Sequence, residues 1–142
     1  MDTNYQEVFT KNNVIKLDSK KTISIDLFYQ TSDNNNNLQG LVLNIHYEPS
    51  KITLINIIDK CPSMFSCNTI KNIINDADNK NYKIAKIAWG DIRVRWPGKK
   101  LPVNIATLKF NVETFSETII KFSEQECAPN YTFKQNSLKL IN

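Results

Sequence analysis

Few side chains in this sequence are suited to chemistry, and most of those fall within ten residues. Trp89-Gly90-Asp91-Ile92-Arg93-Val94-Arg95-Trp96-Pro97-Gly98 holds both tryptophans, two of the three glycines and the only two arginines. Arg93 and Arg95 bracket Val94 and would share one face of an extended segment, with Lys99 and Lys100 close by completing a basic patch. Guanidinium forks bind carboxylates and sulfates in a bidentate manner, so acidic residues on a partner protein or an acidic glycan are suitable ligands. The plain alternative is a solvated edge whose charges block strand-to-strand aggregation. Trp96 precedes Pro97-Gly98, a turn signature, and so belongs at a strand end or loop. Two readings stand for it: packing against the fold, or a platform that stacks on a sugar or a partner. Trp89 keeps the parity of Ile87 and is expected in the core, where an indole buries a large area.

Other constellations are thinner. Asp76, Asp78, Asn79 and Asn81 place several oxygen ligands in six residues, a tentative calcium site at Asp76 and Asp78. An EF-hand loop would also need a glycine and a bidentate glutamate where this chain has Asn81 and Ile87, so a polar loop is the competing reading. Cys61 and Cys67 bracket five residues and could close a small disulfide loop. Cys127 would then be left over, or would replace one of them, with unpaired thiols as the default. The single histidine, His46, lies on a strand face with Asn44 and has no nucleophile elbow near it in sequence, so no catalytic triad is expected. Glu124 and Glu126 would share a strand face, but nothing marks them as a hydrolase pair. Three glycines outside any phosphate-binding pattern argue against nucleotides. No catalytic residue is assigned, and an enzyme is not expected.

These residues need a scaffold, and period-two patterning supplies it. Ile23, Ile25 and Leu27 alternate with Thr22, Ser24 and Asp26, and Leu41, Leu43, Ile45 and Tyr47 alternate with Asn44 and His46. Similar short β-branched and aromatic runs recur along the chain, separated by Asn, Asp, Ser, Pro and Gly. About nine strands are predicted, near 5–9, 13–17, 21–30, 38–47, 51–58, 83–90, 103–113, 117–123 and 130–141, the last open to splitting. The connection from about 59 to 82 is expected to carry a helical turn or an extra short strand around Thr69 to Ile74. Glu48-Pro49-Ser50-Lys51 reads as a turn, and Asp33 with Asn34 to Asn37 reads as a surface loop. No window sustains helical periodicity with caps. The prediction is an all-β, antiparallel sandwich of jelly-roll type with little or no helix, forming a single domain over 1–142.

Composition fits that picture. Hydrophobic residues make up 41% and charged residues 23% of the 142, values usual for a globular domain. The formal net charge of +4 is spread over scattered lysines, which does not suggest a nucleic-acid partner. No apolar run approaches the length of a membrane span, so no direct membrane insertion is expected. The N-terminal residues lack both the basic and the apolar region of a signal peptide.

The segment from Leu38 to Ile52, with Gly40 leading into alternating apolar residues and then Tyr47-Glu48-Pro49, resembles the strand and turn of cohesin-like domains. In that family Asp is usual where Glu48 stands. Ile87-Ala88-Trp89-Gly90-Asp91 through Trp96-Pro97-Gly98, then Leu101-Pro102 and Ala106 to Phe110, is similar to the cohesin-like repeats of large secreted proteins of cyanobacteria and other aquatic bacteria. Tyr131-Thr132-Phe133 fits the same pattern. The resemblance covers roughly residues 20–141 and implies a nine-stranded jelly-roll sandwich shared with some carbohydrate-binding modules. It also implies an extracellular or cell-surface module of a larger multidomain protein, acting by adhesion or scaffolding through protein–protein contact. A carbohydrate-binding module using Trp96 and its basic neighbours, and a structural spacer in a larger surface or virion protein, are the alternatives.

Overall fold

The computed structural model describes residues 4–60 and 68–142. Strands arise where the sequence alternates. Thr22–Thr31 (β3), Gly40–Tyr47 (β5) and Lys83–Gly90 (β8) bury every second residue and turn the others outward. The remaining strands among the described residues are Asn4–Phe9 (β1), Val14–Lys16 (β2), Asn37–Leu38 (β4), Ile52–Asp59 (β6), Asn68–Asn75 (β7), Trp96–Pro97 (β9), Val103–Val112 (β10), Thr118–Glu126 (β11), Tyr131–Lys134 (β12) and Asn136–Ile141 (β13).

They form a five-stranded sheet in the order β12-β1-β3-β10-β6, a six-stranded sheet in the order β2-β13-β11-β5-β8-β7, and a short β4–β9 ladder. The inward rows of both sheets meet in one core. Ile25, Leu27 and Tyr29 come from β3, Leu43 and Ile45 from β5, Leu108 and Phe110 from β10, and Leu138 and Leu140 from β13. Each such side chain contributes about 1.5–3 kcal/mol when fully buried. At Asn104/Ala106 a bulge shifts the ladder, and Ile105 and Ala106 are consecutive buried residues there.

The two-layer sandwich is as predicted, with thirteen strands among the described residues where about nine are expected. The 130–141 run divides because the chain leaves the five-stranded sheet after β12 and joins the six-stranded one as β13. The N-terminal run makes the same crossing between β1 and β2. Both crossings run in one direction, so β1–β12 and β2–β13 are parallel pairs in an otherwise antiparallel structure. Of the two expectations for Thr69 to Ile74, the strand forms, and it is longer than expected: these residues belong to β7. Its pattern is blurred because residues 71–75 of this edge strand are all exposed. The expected turn at Glu48 forms, its carbonyl accepting from the amides of Lys51 and Ile52, both at 3.0 Å.

Candidate functional site

The segment that stands out in the sequence splits at Gly90. Upstream, Trp89 is buried on β8, and its indole N–H donates to Asp59 Oδ1 at 3.1 Å. Downstream, Asp91 bends the chain: its carboxylate accepts from the Arg93 amide and its carbonyl from the Val94 amide, both at 2.9 Å. Val94 adopts a left-handed φ of 57°. Arg93 and Arg95 therefore do not bracket Val94 on an extended segment as expected. The aspartate side chain captures an amide that a strand would have placed in a ladder.

Trp96 is wholly buried. Its backbone pairs with Leu38 in the β4–β9 ladder, and its ring lies 4.5 Å from that of Tyr29 and 6.0 Å from that of Trp89. The packing reading of Trp96 is what the structure shows, and the indole offers no face to a sugar. The turn that follows closes when the Gly98 amide donates to the Asn36 carbonyl at 2.8 Å. Gly98 has φ 70°, and a Cβ there would sit 2.6 Å from the Arg95 carbonyl oxygen, so no other residue fits without strain. What remains exposed is a tip: Ile92 at 92%, Val94, Arg93, Lys99 and Lys100, with Arg95 half-buried.

The outer face of the six-stranded sheet carries a second constellation, one that sequence reasoning missed. His46 on β5 reaches Asp76 at the end of β7, Nδ1 to Oδ2 at 3.0 Å, and Ser123 on β11, Nε2 to Oγ at 2.7 Å. An ionised carboxylate only accepts, so Nδ1 carries the proton; in the neutral ring Nε2 then accepts from the serine hydroxyl. Asp76 Oδ1 accepts from the Asp78 amide at 2.9 Å. Burial works to raise the Asp76 pKa, but the hydrogen bonds from His46 and the Asp78 amide, with the histidine's charge, hold it below the usual carboxylate range. The three residues border an open concavity of about 780 Å³ whose rim includes Tyr82, Ile119, Lys121 and Ser137.

The calcium reading of Asp76 and Asp78 does not fit this geometry. Both Asp76 oxygens are engaged by protein donors, and among the described residues no group of three or more His, Cys, Asp or Glu converges on a common point. Glu124 and Glu126 do not share a face either. A bulge pairs Glu124 with inward-facing Leu43 and Glu126 with outward-facing Val42. Cys61 and Cys67, the expected disulfide, lie outside the described residues. Cys127 is free and half-buried, its thiol pushed up to about 11 by burial and by nearby Glu124, which suppresses the reactive thiolate.

Only partial signals of the His46 cluster existed in the sequence. Alternation puts His46 and Asn44 on one face of β5, and Lys121 and Ser123 on one face of β11. That the two strands are neighbours, 77 positions apart at His46 and Ser123, is a property of topology. Asp76 is legible as an oxygen ligand but not as a partner of His46, because that contact depends on how β7 and β8 stack beside β5.

No family model matches the sequence, and no curated protein does. Solved structures do match. A type I cohesin of Clostridium thermocellum in complex with a dockerin (Coh-OlpC–Doc435) aligns with a TM-score of 0.62 at 14% identity, over 99% of this chain and 97% of that one. The fold is that of cohesin modules. The sixth cohesin of Acetivibrio cellulolyticus scaffoldin B, in complex with a Cel5 dockerin mutant, aligns at 0.57 and 10% identity over 99% of both chains. The second type II cohesin of the adaptor ScaA scaffoldin of the same organism aligns at 0.55 and 12%, over 97% of both chains. The cohesin-like resemblance of the Leu38–Ile52 and Ile87–Gly98 segments thus corresponds to the architecture of almost the whole chain.

Proposed function

We propose that this chain is a binding and assembly module acting through protein–protein contact, as an extracellular or cell-surface part of a larger multidomain protein. The observation that carries the reading is the tip at residues 91–100, where a hydrogen-bonded turn holds Ile92 92% exposed among basic side chains. An isoleucine fixed in water gains nothing inside the chain; covering it with a partner recovers its burial energy. The exposed charged residues of the same segment, Arg93, Lys99 and Lys100, are all basic. A complementary partner presents an apolar seat ringed by Asp and Glu. Cohesin-fold neighbours bound to dockerins support a protein as the partner class. The glycan alternative loses its stacking platform with Trp96 buried.

The test is capture by the immobilised protein from the secreted fraction of its source organism, followed by calorimetry on the purified partner. Ile92→Asp and Arg93→Glu should each weaken binding by about tenfold or more, equivalent to about 1.4 kcal/mol. Added salt should weaken the wild-type complex and have less effect on Arg93→Glu. A partner bound equally well by all three proteins sinks the tip as the docking surface. Finding no partner favours the spacer reading.

A further inference from the structure

We propose that Ser123 is a nucleophile activated by His46 and Asp76, able to accept the acyl group of a small activated carboxylic ester. The inference concerns the outer face of the six-stranded sheet, so it stands or falls independently of docking at the tip.

Geometry carries it. The Ser123 hydroxyl lies 2.7 Å from His46 Nε2, and Nδ1 of the same ring lies 3.0 Å from Asp76. The carboxylate fixes the tautomer that leaves Nε2 as the proton acceptor, which is the relation a serine nucleophile needs with its base. Asp76 is itself anchored. Its carboxylate holds the Asp78 amide, and its own amide donates to the Tyr82 carbonyl at 3.1 Å, so the β7–β8 turn cannot release the ring without opening. Three separate elements thus converge on one imidazole, all at the margin of the 780 Å³ concavity. Tyr82 and Ile119 give that concavity an apolar side for a short acyl chain. Lys121 faces His46 across the β5–β11 ladder and lines the same space, its ammonium 5.7 Å from the Tyr82 ring centre, so the concavity carries a positive charge on one wall.

In the step proposed, Ser123 Oγ attacks the ester carbonyl carbon while its proton passes to His46 Nε2. The tetrahedral species collapses as the carbon–oxygen bond to the leaving group breaks, and Nε2 returns the proton to the departing oxygen. The products are the Ser123 ester and a free alcohol or phenol. β11 is an internal strand, committed to ladders with β13 and β5, and no pair of its amides is set aside for an oxyanion. The proposal is accordingly one covalent event per chain and not turnover.

Two probes test it: an alkyl fluorophosphonate and p-nitrophenyl acetate, each followed by intact-mass measurement and peptide mapping. One adduct per chain at Ser123 is expected, with one equivalent of p-nitrophenol released in the ester experiment. His46→Gln should slow adduct formation by about 100-fold or more, the lower bound of general-base assistance, and Asp76→Asn should also slow it. Ser123→Ala should remove the adduct without moving the melting temperature by more than a degree or two. Urea-unfolded wild type should show no preference for Ser123, which keeps the test decisive should His46→Gln fail to fold. Labelling spread over surface lysines and serines, or a Ser123 adduct as fast in His46→Gln as in the wild type, overturns the proposal.

Discussion

At the scale of single residues, burial decides what the aromatic and acidic side chains can do. Trp96 looks like a ligand platform in sequence because Pro97-Gly98 follows it, yet the β4–β9 ladder turns its ring onto Tyr29 and Trp89. Trp96→Ala should therefore cost about 3–5 kcal/mol of stability, the range for large aromatic truncations in cores, measured by urea unfolding. A variant that loses glycan binding but no stability would reverse that assignment. Asp76 gives the other residue-scale prediction. Its folded pKa is depressed, so its contribution to stability is complete above the unfolded carboxylate pKa and is lost as pH falls through the folded value. Wild-type melting temperature should fall across that acid window, and Asp76→Asn should flatten this part of the profile. If the two profiles run parallel, the His46–Asp76 pair contributes no linked stability.

At the scale of elements, most strands are legible, the edge strands β2 and β6 included, and the full extent of β7 and the short β4–β9 ladder are not. β3, β5 and β8 alternate cleanly because one face of each meets the core, so the sequence period and the burial period coincide. β7 pairs on one side only, which removes the burial contrast that the pattern records. Asp76 and His46 are each notable in sequence, but their meeting with Ser123 spans 30 and 77 positions, whereas the basic tip is visible because it lies within one contiguous segment. The tip's backbone departs from the extended expectation because the Asp91 side chain and carbonyl capture the Arg93 and Val94 amides. The Gly40 that opens β5 shows how closely these elements meet. Its φ is 136°, and a Cβ would lie 2.0 Å from the Trp89 carbonyl oxygen. Gly40→Ala should lose at least about 1–3 kcal/mol through backbone strain alone, with the shortfall seen in thermal unfolding. A wild-type melting curve for that variant would mean β5 and β8 can separate there without cost.

At the scale of the whole molecule, a two-layer sandwich leaves sheet edges open, and the two long ones lie on one side. β6 ends the five-stranded sheet and β7 ends the six-stranded sheet, each eight residues long. Between them Ile55 and Ile73 are exposed beside a groove of mixed lining to which Leu54, Ile57, Asn56 and Asn72 also contribute. Such an edge is a template for pairing with another chain. The opposite edges, β2 and β12, are only three and four residues long and carry Lys16 and Lys134, which limits pairing there. On the long side the guard is Lys71, whose ammonium crosses from β7 to donate to the Ile57 carbonyl of β6 at 2.9 Å. It fills an open acceptor of the β6 edge and sets a charge where an incoming strand would lie. Lys71→Val removes both effects while adding β propensity. The variant should melt within about 0.5 kcal/mol of wild type at low concentration, as an exposed substitution does, but show association that rises with concentration in light scattering. A strictly monomeric Lys71→Val protein at high concentration would mean that the twist of the two edges alone keeps copies of this chain apart.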